Sequence, residues 1–421
     1  MDAASQPEGL ATPERSAPTA RERQGSSLDA RLVRRLMTAL KDPPIEFVLT
    51  WTGERIAGHG AAPVAHIRIA DRASLLRLMS NPRVQFGEGY SAGRIEVEGD
   101  LIKLLEIIYR GFPPVSDADS ISRRLVAWLQ RPRRNTLSGS RNNIHRHYDL
   151  GNEFYSLWLG ETMAYTCAYF PTAEASLEQA QVAKMDHICR KLRLQAGDTV
   201  VEAGCGWGSL ALHMAGRYGA RVRAFNISGQ QIQYARARAR EQGLEQQVEF
   251  IEDDYRNISG SYDVFASVGM LEHVGRENYA ELGRVARRSL NAQGRGLIHS
   301  IGRNRPAPLN PWSERRIFPG AYAPSLGEMM QIFEPSSLSV LDVENIRLHY
   351  ALTLREWLAR YEAALGKVRT MFDEFFVRMW RLYLAGSIAA FETGTLQLFQ
   401  VLFTTEENNR IPLTREFIYP R

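Results

Sequence analysis

A glycine-spaced loop is the first stretch whose residue types suggest chemistry. Glu202-Ala-Gly-Cys-Gly-Trp-Gly208 follows the β-branched run DTVV (198–201) and precedes a helical pattern. Glycines at this spacing let the chain turn sharply from strand to helix and let a ligand approach the backbone. The nicotinamide pattern G-x-G-x-x-G is not matched, and the next predicted strand (221–228) ends without the acid that binds a ribose. The loop therefore favours S-adenosylmethionine, with Glu202 supporting its amino-acid part, although a plain tight turn remains an alternative.

Polar groups accompany several further predicted strands. Asp254 ends VEFIEDD and Tyr255 follows it, where a carboxylate could accept from an adenine amino group and a ring could stack on the base. A surface turn would explain this pair equally well. Three more groups are predicted at strand ends: Glu272 with His273 after 262–271, His299 in 294–302, and Tyr350 closing 339–350. Ligands bind at the carboxyl ends of the strands in open α/β sheets, so these groups are predicted to lie at one edge.

The elements that must position these groups alternate between strand and helix from about residue 140 onward. This alternation predicts a doubly wound parallel sheet, with SVLDVENIRLHY and QLFQVLFTT (397–405) as its last strands. Helical patterns fill 352–371 and 374–392. The predicted organisation is a disordered tail (1–27), a small α+β domain (28–130), a basic linker (131–145) and a catalytic domain (146–421).

Composition limits the class of protein. The chain has 421 residues, 44% hydrophobic and 24% charged, as in globular proteins, and no apolar run approaches the ~20 residues that span a bilayer. The tail has no apolar core of a secretory signal. Three cysteines (Cys167, Cys189, Cys205) lack metal-ligand spacing, which predicts no metal site and a reducing, cytoplasmic setting.

The net charge of +5 is concentrated in one segment. Between residues 121 and 147 the chain carries seven arginines and no acid: Arg123, Arg124, Arg131, Arg133, Arg134, Arg141 and Arg146. A solvated linker is one interpretation. The other is a patch facing anionic lipid, since each basic residue contributes about 1 kcal/mol near such a surface. Nucleic acid is a less favoured partner, and its methylation a less favoured activity, because the sequence contains no base-flipping motif.

Several motifs in order resemble those of cyclopropane-fatty-acyl-phospholipid synthases and the related mycolic-acid methyltransferases. They are HYDLGNEFYSLWLGETMAYTCAYF, VEAGCGWG, GMLEHVG, IHSIG, IFPGAYAPSL and LHYALTLREW, over about residues 140–405. The resemblance implies a seven-stranded, Rossmann-like S-adenosylmethionine-dependent methyltransferase fold with a smaller, lipid-binding-like N-terminal α+β domain. It also implies methyl transfer to the cis double bond of an unsaturated phospholipid acyl chain, forming a cyclopropane ring. The enzyme would associate peripherally with the inner face of the membrane, as a homodimer.

The resemblance also assigns residues. A carbocation formed by methyl transfer would be deprotonated by a bound bicarbonate ion, and the predicted bicarbonate and catalytic residues are Cys167, Glu272, His299, Ile301 and Tyr350. The predicted cofactor contacts are Tyr165, Thr166, Glu202, Gly204, Gly206, Asn226, Gln231, Asp254 and Tyr255. A thiol with no neighbouring base is a poor nucleophile, so Cys167 is interpreted as a contact residue that shapes the pocket.

The chain departs from the family pattern at three positions. Thr166 replaces a common serine, and Asn226 replaces a common threonine. Ser387 stands where many members have a cysteine, and it is not predicted to be catalytic. Two alternatives stay open: a sister C-methyltransferase that gives methylene- or methyl-branched chains, and a catalytically silent lipid-binding protein.

Overall fold

The computed structural model describes residues 27–60, 62–111 and 150–419. The arginine-rich segment 121–147 and the predicted linker 131–145 lie outside these residues, as do nearly all of the predicted tail and the boundary at residue 130. No helix in the described part of the chain is long and apolar enough to cross a membrane.

The N-terminal domain is a four-stranded sheet flanked by helices, in the order β2-β1-β3-β4. Its strands are β1 (Ile45–Leu49), β2 (Arg55–Ala57), β3 (Ala65–Ile69) and β4 (Ile95–Gly99). Its helices are α1 (Leu28–Ala39), α2 (Arg72–Ser80), α3 (Pro82–Ser91) and α4 (Leu101–Gly111). Helix α3 was not predicted, because Gly87 and Gly89 weaken the helical signal. Gly87 has a packing role, since a Cβ there would lie 2.6 Å from the ring of Trp312.

The second domain contains the predicted seven-stranded, doubly wound sheet. Its strands are β5 (Thr199–Ala203), β6 (Arg221–Asn226), β7 (Val248–Glu252), β8 (Tyr262–Val268), β9 (Leu290–Gly302), β10 (Leu338–Asn345) and β11 (Gln397–Thr405). They lie in the order β10-β11-β9-β8-β5-β6-β7. Strand β11 is antiparallel to both of its neighbours and is buried along its whole length.

Helices cover both faces of this sheet and its carboxyl edge. They are α5 (Asn152–Ser156), α6 (Leu177–Lys191), α7 (Ser209–Tyr218), α8 (Gly229–Glu241), α9 (Leu271–Val274), α10 (Tyr279–Ser289), α11 (Pro311–Arg316), α12 (Leu326–Phe333), α13 (Arg347–Ala363), α14 (Leu365–Met371) and α15 (Glu374–Glu392). One core lies beneath α6, α7 and α8, and a second lies beneath α10 and α12. A third, rich in aromatic rings, lies among α5, α13 and α15.

Helix α15 also connects the two domains. The Arg378 guanidinium donates to the carbonyls of Tyr90 at 2.6 Å and Ile95 at 3.1 Å, and it lies 4.6 Å from the centre of the Tyr90 ring. Arg316 in α11 pairs with Glu88 in α3 at 2.6 Å. The small domain is thus packed beside the helices that cover the carboxyl edge of the large sheet.

The predicted strand at 339–350 is wrong at its end. Strand β10 stops at Asn345, and Tyr350 lies in the first turns of α13. Tyr350, Leu354 and Trp357 are all buried, and their i, i+4, i+7 spacing is helical. His299 likewise lies inside β9 rather than at a strand end, although it pairs with Val268, the last residue of β8.

Candidate active site

The glycine loop leaves β5 at the carboxyl edge with three residues in left-handed conformations. Gly204, Gly206 and Gly208 have φ of 84°, 55° and 84°. A Cβ at Gly204 would lie 2.8 Å from the Met270 side chain, and a Cβ at Gly208 would lie 2.6 Å from the Phe250 ring. Gly206 faces open space within 4 Å, so its backbone is accessible to a ligand.

Glu202 lies in β5 directly before this loop. It is buried, and its Oε2 atom has no hydrogen-bond partner. Burial raises the pKa of Glu202 to about 7, and the nearby Lys184 charge opposes that shift. An unpaired buried carboxylate oxygen is costly, so this group suits a cationic ligand such as an amino group.

Lys184 is a site residue that the sequence reasoning missed. It lies in α6, is 1% exposed, and donates from Nζ to Thr166 Oγ1 at 3.0 Å. Burial lowers its pKa to about 8, while Cys167 and Glu202 act in the opposite direction. The available signal was the helical spacing, which places Gln181 and Lys184 on the same buried face as Ala180 and Ile188.

Three of the predicted cofactor residues are joined directly. Asn226, the last residue of β6, donates from Nδ2 to Gln231 Oε1 at 2.7 Å and to the Gly206 carbonyl at 3.3 Å. The Ser228 side chain caps α8 by accepting from the Gln231 N–H. These bonds connect the glycine loop to the end of the second strand of the sheet unit.

Asp254 and Tyr255 follow β7 at the same edge. Asp254 is buried and accepts from the Arg256 N–H at 2.9 Å, which caps a short 3₁₀ turn. Burial raises the pKa of Tyr255 to about 12, and the Arg256 guanidinium lies 5.1 Å from its ring centre. The structure shows a capped turn at Asp254 with a buried ring beside it, and adenine binding by this pair stays a prediction.

The segment Ala164–Phe170 has no regular secondary structure and is held by neighbouring helices. The Gln181 amide donates to the carbonyls of Ala164 at 3.3 Å and Thr166 at 3.0 Å. The Ala168 N–H donates to Thr353 Oγ1 at 3.0 Å. Tyr169 stacks between the rings of His187 and His349 at 4.3 and 4.5 Å.

Cys167 is fully buried within this segment and belongs to the aromatic-rich core. Its Sγ donates to the Ala168 carbonyl at 3.1 Å, and burial raises the pKa of the thiol above its usual range. A protonated, buried thiol is a weak nucleophile, in agreement with its interpretation as a contact residue.

Glu272 and Ile301 are in direct contact. Glu272 Oε1 accepts from the Ile301 N–H at 2.6 Å, while Oε2 is buried without a partner. Burial raises the pKa of this carboxyl to about 7. Sequence reasoning placed both residues at the site, and their register follows from the parallel pairing of β8 with β9.

His299 lies beside them as a neutral imidazole. Burial lowers its pKa to about 3, and its Nδ1 lies 3.2 Å from Gln400 Nε2 in β11. The amide is the donor to a neutral Nδ1, which leaves the ring proton on Nε2. Gln400 was not predicted, because it lies in β11 and is separated from His299 by 101 residues along the chain. The His299 carbonyl accepts from Gly269, where a Cβ would lie 2.8 Å from Thr166 Cγ2, so the two groups of predicted residues adjoin.

Aromatic rings surround Tyr165, and this group is called the aromatic wall below. The Tyr165 ring lies 5.2 to 5.5 Å from the rings of Trp158, Trp357 and Tyr155. Its hydroxyl is 2.8 Å from that of Tyr383. Tyr350 reaches this wall from α13, with its ring 4.7 Å from Phe391. In the residues described, no group of three His, Cys, Asp or Glu side chains is arranged to hold a metal ion.

A family model described as mycolic acid cyclopropane synthetase matches residues 136–401. The chain belongs to this family. A second model, described as a domain of unknown function, matches residues 32–114. With the glycine loop at the end of the first sheet strand, the family assignment makes the protein an S-adenosylmethionine-dependent methyltransferase of the cyclopropane-synthase type.

Two relatives align with most of the chain, and a solved structure aligns with about two thirds of it. A probable fatty acid methyltransferase of Pseudomonas putida is 34% identical over 88% of this chain and 95% of its own. The cyclopropane-fatty-acyl-phospholipid synthase of Escherichia coli is 34% identical over 86% of this chain and 93% of its own. The mycolic acid cyclopropane synthase CmaA1, solved with SAH and CTAB, has a TM-score of 0.60 and 28% identity, covering 63% of this chain and 98% of its own.

Proposed function

We propose that this family member transfers the methyl group of S-adenosylmethionine to the cis double bond of an unsaturated acyl chain on a phospholipid, and that the product is a cyclopropane ring. The observation that supports this most directly is the Glu272 carboxyl. One of its oxygens is held by the Ile301 N–H, and the other is buried without a partner. Ring closure requires a proton to leave the new methyl group, so a buried acceptor site has a purpose in this reaction.

In this proposal the cofactor lies over the glycine loop. Glu202 receives its ammonium group, while Tyr165 and Thr166 contact it from the aromatic side. Asn226 and Gln231 bind the ribose region, and Asp254 with Tyr255 binds the adenine. The support is their common location at the carboxyl edge and the hydrogen bonds that join Asn226, Gln231 and Gly206.

An unactivated alkene is a weak nucleophile, so alignment with the sulfonium methyl is the main task of the protein. Methyl transfer leaves a positive charge on the acyl chain. The Tyr165 ring, which is only partly buried, would stabilise such a cation by about 0.5–2 kcal/mol where water is excluded. Trp158 and Trp357 are completely buried and pack against the Tyr165 ring from behind.

Bicarbonate fits the polar side of this site, and when bound it supplies the proton acceptor. Glu272 Oε2 would accept from its hydroxyl, and His299 would offer the Nε2 hydrogen of a neutral ring. Cys167, Ile301 and Tyr350 complete the residues proposed to hold it.

The second candidate is a sister C-methyltransferase. It is favoured by a 33% identical relative named tuberculostearic acid methyltransferase, from Mycobacterium tuberculosis, which covers 88% of this chain. The deciding experiment supplies S-adenosylmethionine with a CD3 methyl group and vesicles of monounsaturated phospholipid. A cyclopropane or methylene product keeps two deuterons, and a methyl-branched alkene, formed when the cation loses a proton from the chain instead, keeps three. NMR of the ring positions separates the first two. Retained cofactor binding without any product would support a silent lipid-binding protein instead.

Association with the inner face of the membrane through the basic segment, and a homodimeric state, are part of the same proposal. Both remain predictions.

A further inference from the structure

Arg303 is a buried guanidinium that has no counter-ion among the described residues. It is 7% exposed, and its Nε atom has no hydrogen-bond partner. Burial lowers its pKa, and the titratable groups that oppose this shift are the phenols of Tyr109 and Tyr322, with no carboxylate among them. An arginine cannot lose its proton in a protein, so burial does not neutralise it. A buried cation of this kind would be stabilised by an anion, and the described residues do not supply one.

Carboxylates near Arg303 are already engaged. Tyr322 donates its hydroxyl to Glu328 at 2.9 Å, and Glu328 also accepts from the Ser325 N–H at 2.8 Å and pairs with Arg276 at 3.1 Å. Arg316, by contrast, has a full partner in Glu88. Arg303 is the only buried arginine among the described residues.

The position of Arg303 connects it to the proposed reaction centre. It follows β9 and lies two residues beyond Ile301, or about 7 Å along an extended chain. The Tyr109 hydroxyl comes from α4 of the small domain and lies 3.9 Å from the place a Cβ on Gly386 would occupy. Gly386 is about one helical turn beyond Tyr383, whose hydroxyl meets that of Tyr165. Arg303 thus lies just beyond the end of β9, on the same side of the extended chain as Ile301, and the Tyr109 hydroxyl that acts on its charge comes from the small domain.

We propose that Arg303, assisted by the Tyr109 hydroxyl, binds the phosphate group of the lipid whose acyl chain is modified. Guanidinium groups bind phosphate oxygens in a bidentate manner, which suits a planar, buried donor. This inference rests on the proposed function. Free inorganic phosphate has the same chemistry, so the test must separate the two sources.

The kinetic test compares Arg303→Met and Arg303→Lys with the matched control Arg305→Met, an exposed arginine two residues further along. Dioleoyl phosphatidylglycerol and dioleoylglycerol are offered in the same neutral detergent micelles. We expect Arg303→Met to raise KM for the phospholipid roughly tenfold or more, because a buried charge partner is lost. Its kcat and its turnover of dioleoylglycerol should stay near those of the wild type, Arg303→Lys should be intermediate, and Arg305→Met should be unchanged.

Thermal unfolding provides a second measurement that needs no turnover. Ligand-free Arg303→Met should melt no lower than the wild type, since an unpaired buried charge is removed. A lower melting temperature would assign Arg303 a structural role and overturn the proposal. Stabilisation by inorganic phosphate that is lost in Arg303→Met, with unchanged lipid kinetics, would make free phosphate the ligand and exclude the lipid phosphate. Equal kinetics and no phosphate effect would overturn the site altogether. A wild-type enzyme that modifies neither lipid would instead contradict the proposed function, while the phosphate measurement would still report on Arg303.

Discussion

The ammonium of Lys184 donates to the hydroxyl of Thr166 at 3.0 Å, from a helix that lies beneath the irregular segment of the site. The same charge acts on Glu202 at the end of β5. Lys184 thus acts on the two sides of the proposed cofactor site, the segment that contains Thr166 and the strand that contains Glu202. We interpret it as a positioning residue.

Lys184→Met should weaken S-adenosylmethionine binding by roughly tenfold at pH 7. The reason is that Thr166 loses a charged donor and Glu202 loses the charge that favours its ionised form. Isothermal titration with the cofactor measures this directly. The matched control is Lys191→Met, a buried lysine two turns along α6 that pairs with Glu344 at 2.6 Å. That variant should lose about 3 kcal/mol of stability while keeping its cofactor affinity. Unchanged affinity in Lys184→Met would remove this residue from the site.

Glu272→Gln should cripple turnover and leave cofactor affinity nearly unchanged, because the lost acceptor lies beside Ile301 rather than at the glycine loop. Single-turnover rates and cofactor titration separate the two effects. An equal loss of cofactor binding would contradict the assignment of Glu272 to the proton-acceptor side.

The same variant has a pH signature in the ligand-free protein. Because burial raises the pKa of Glu272 to about 7, the folded state holds a proton that the unfolded state releases near pH 4.5. The carboxyl therefore favours folding below about pH 4.5, and this contribution is lost as the pH rises toward 7. The free energy of unfolding of Glu272→Gln, relative to the wild type, should therefore rise by up to about 3 kcal/mol as the pH increases from 4.5 to 7. Denaturant unfolding at a series of pH values measures the difference, and a flat difference would show that the group is not desolvated.

Glu344 should behave in the opposite way. Burial alone would raise its pKa, but the hydrogen bond from His187 and the charge of Lys191 outweigh burial and lower the pKa to about 2. Its stabilisation is present above pH 4.5 and is lost as the pH falls toward 2. Glu344→Gln should cost about 3 kcal/mol at pH 7 and little at pH 2. Unfolding curves that stay separated at both pH values would refute this.

Neutralising Arg131, Arg133 and Arg134 together should weaken binding to anionic vesicles, and the loss should shrink as salt is added. The control is the triple change of Arg31, Arg34 and Arg35, which are exposed on α1 and carry the same total charge. Vesicle sedimentation at about 50 and about 300 mM salt compares the two triple variants, because the screening of charge attraction increases over this range. Equal loss in both triples would indicate a general charge effect, and no loss would return the segment to a linker.

The parts of the site that could be predicted are those encoded locally. The glycine loop and the groups at Asn226, Asp254 and Glu272 follow from a strand that ends beside a polar residue. Lys184 and Gln400 could not be placed in this way, because only tertiary packing brings α6 and β11 to the site. Tyr350 was assigned to a strand because alternation continued past Asn345, whereas burial of Leu354 and Trp357 decided for a helix.

Strand β11 has a consequence for the order in which the enzyme is completed during synthesis. It is the last strand along the chain, yet it lies between β9 and β10 and brings Gln400 to His299. A nascent chain that already contains the glycine loop and Glu272 still lacks the hydrogen bond that sets the His299 tautomer. Proton handling at His299 therefore depends on residues 397–405 having emerged from the ribosome, as does closure of the cores that β11 completes.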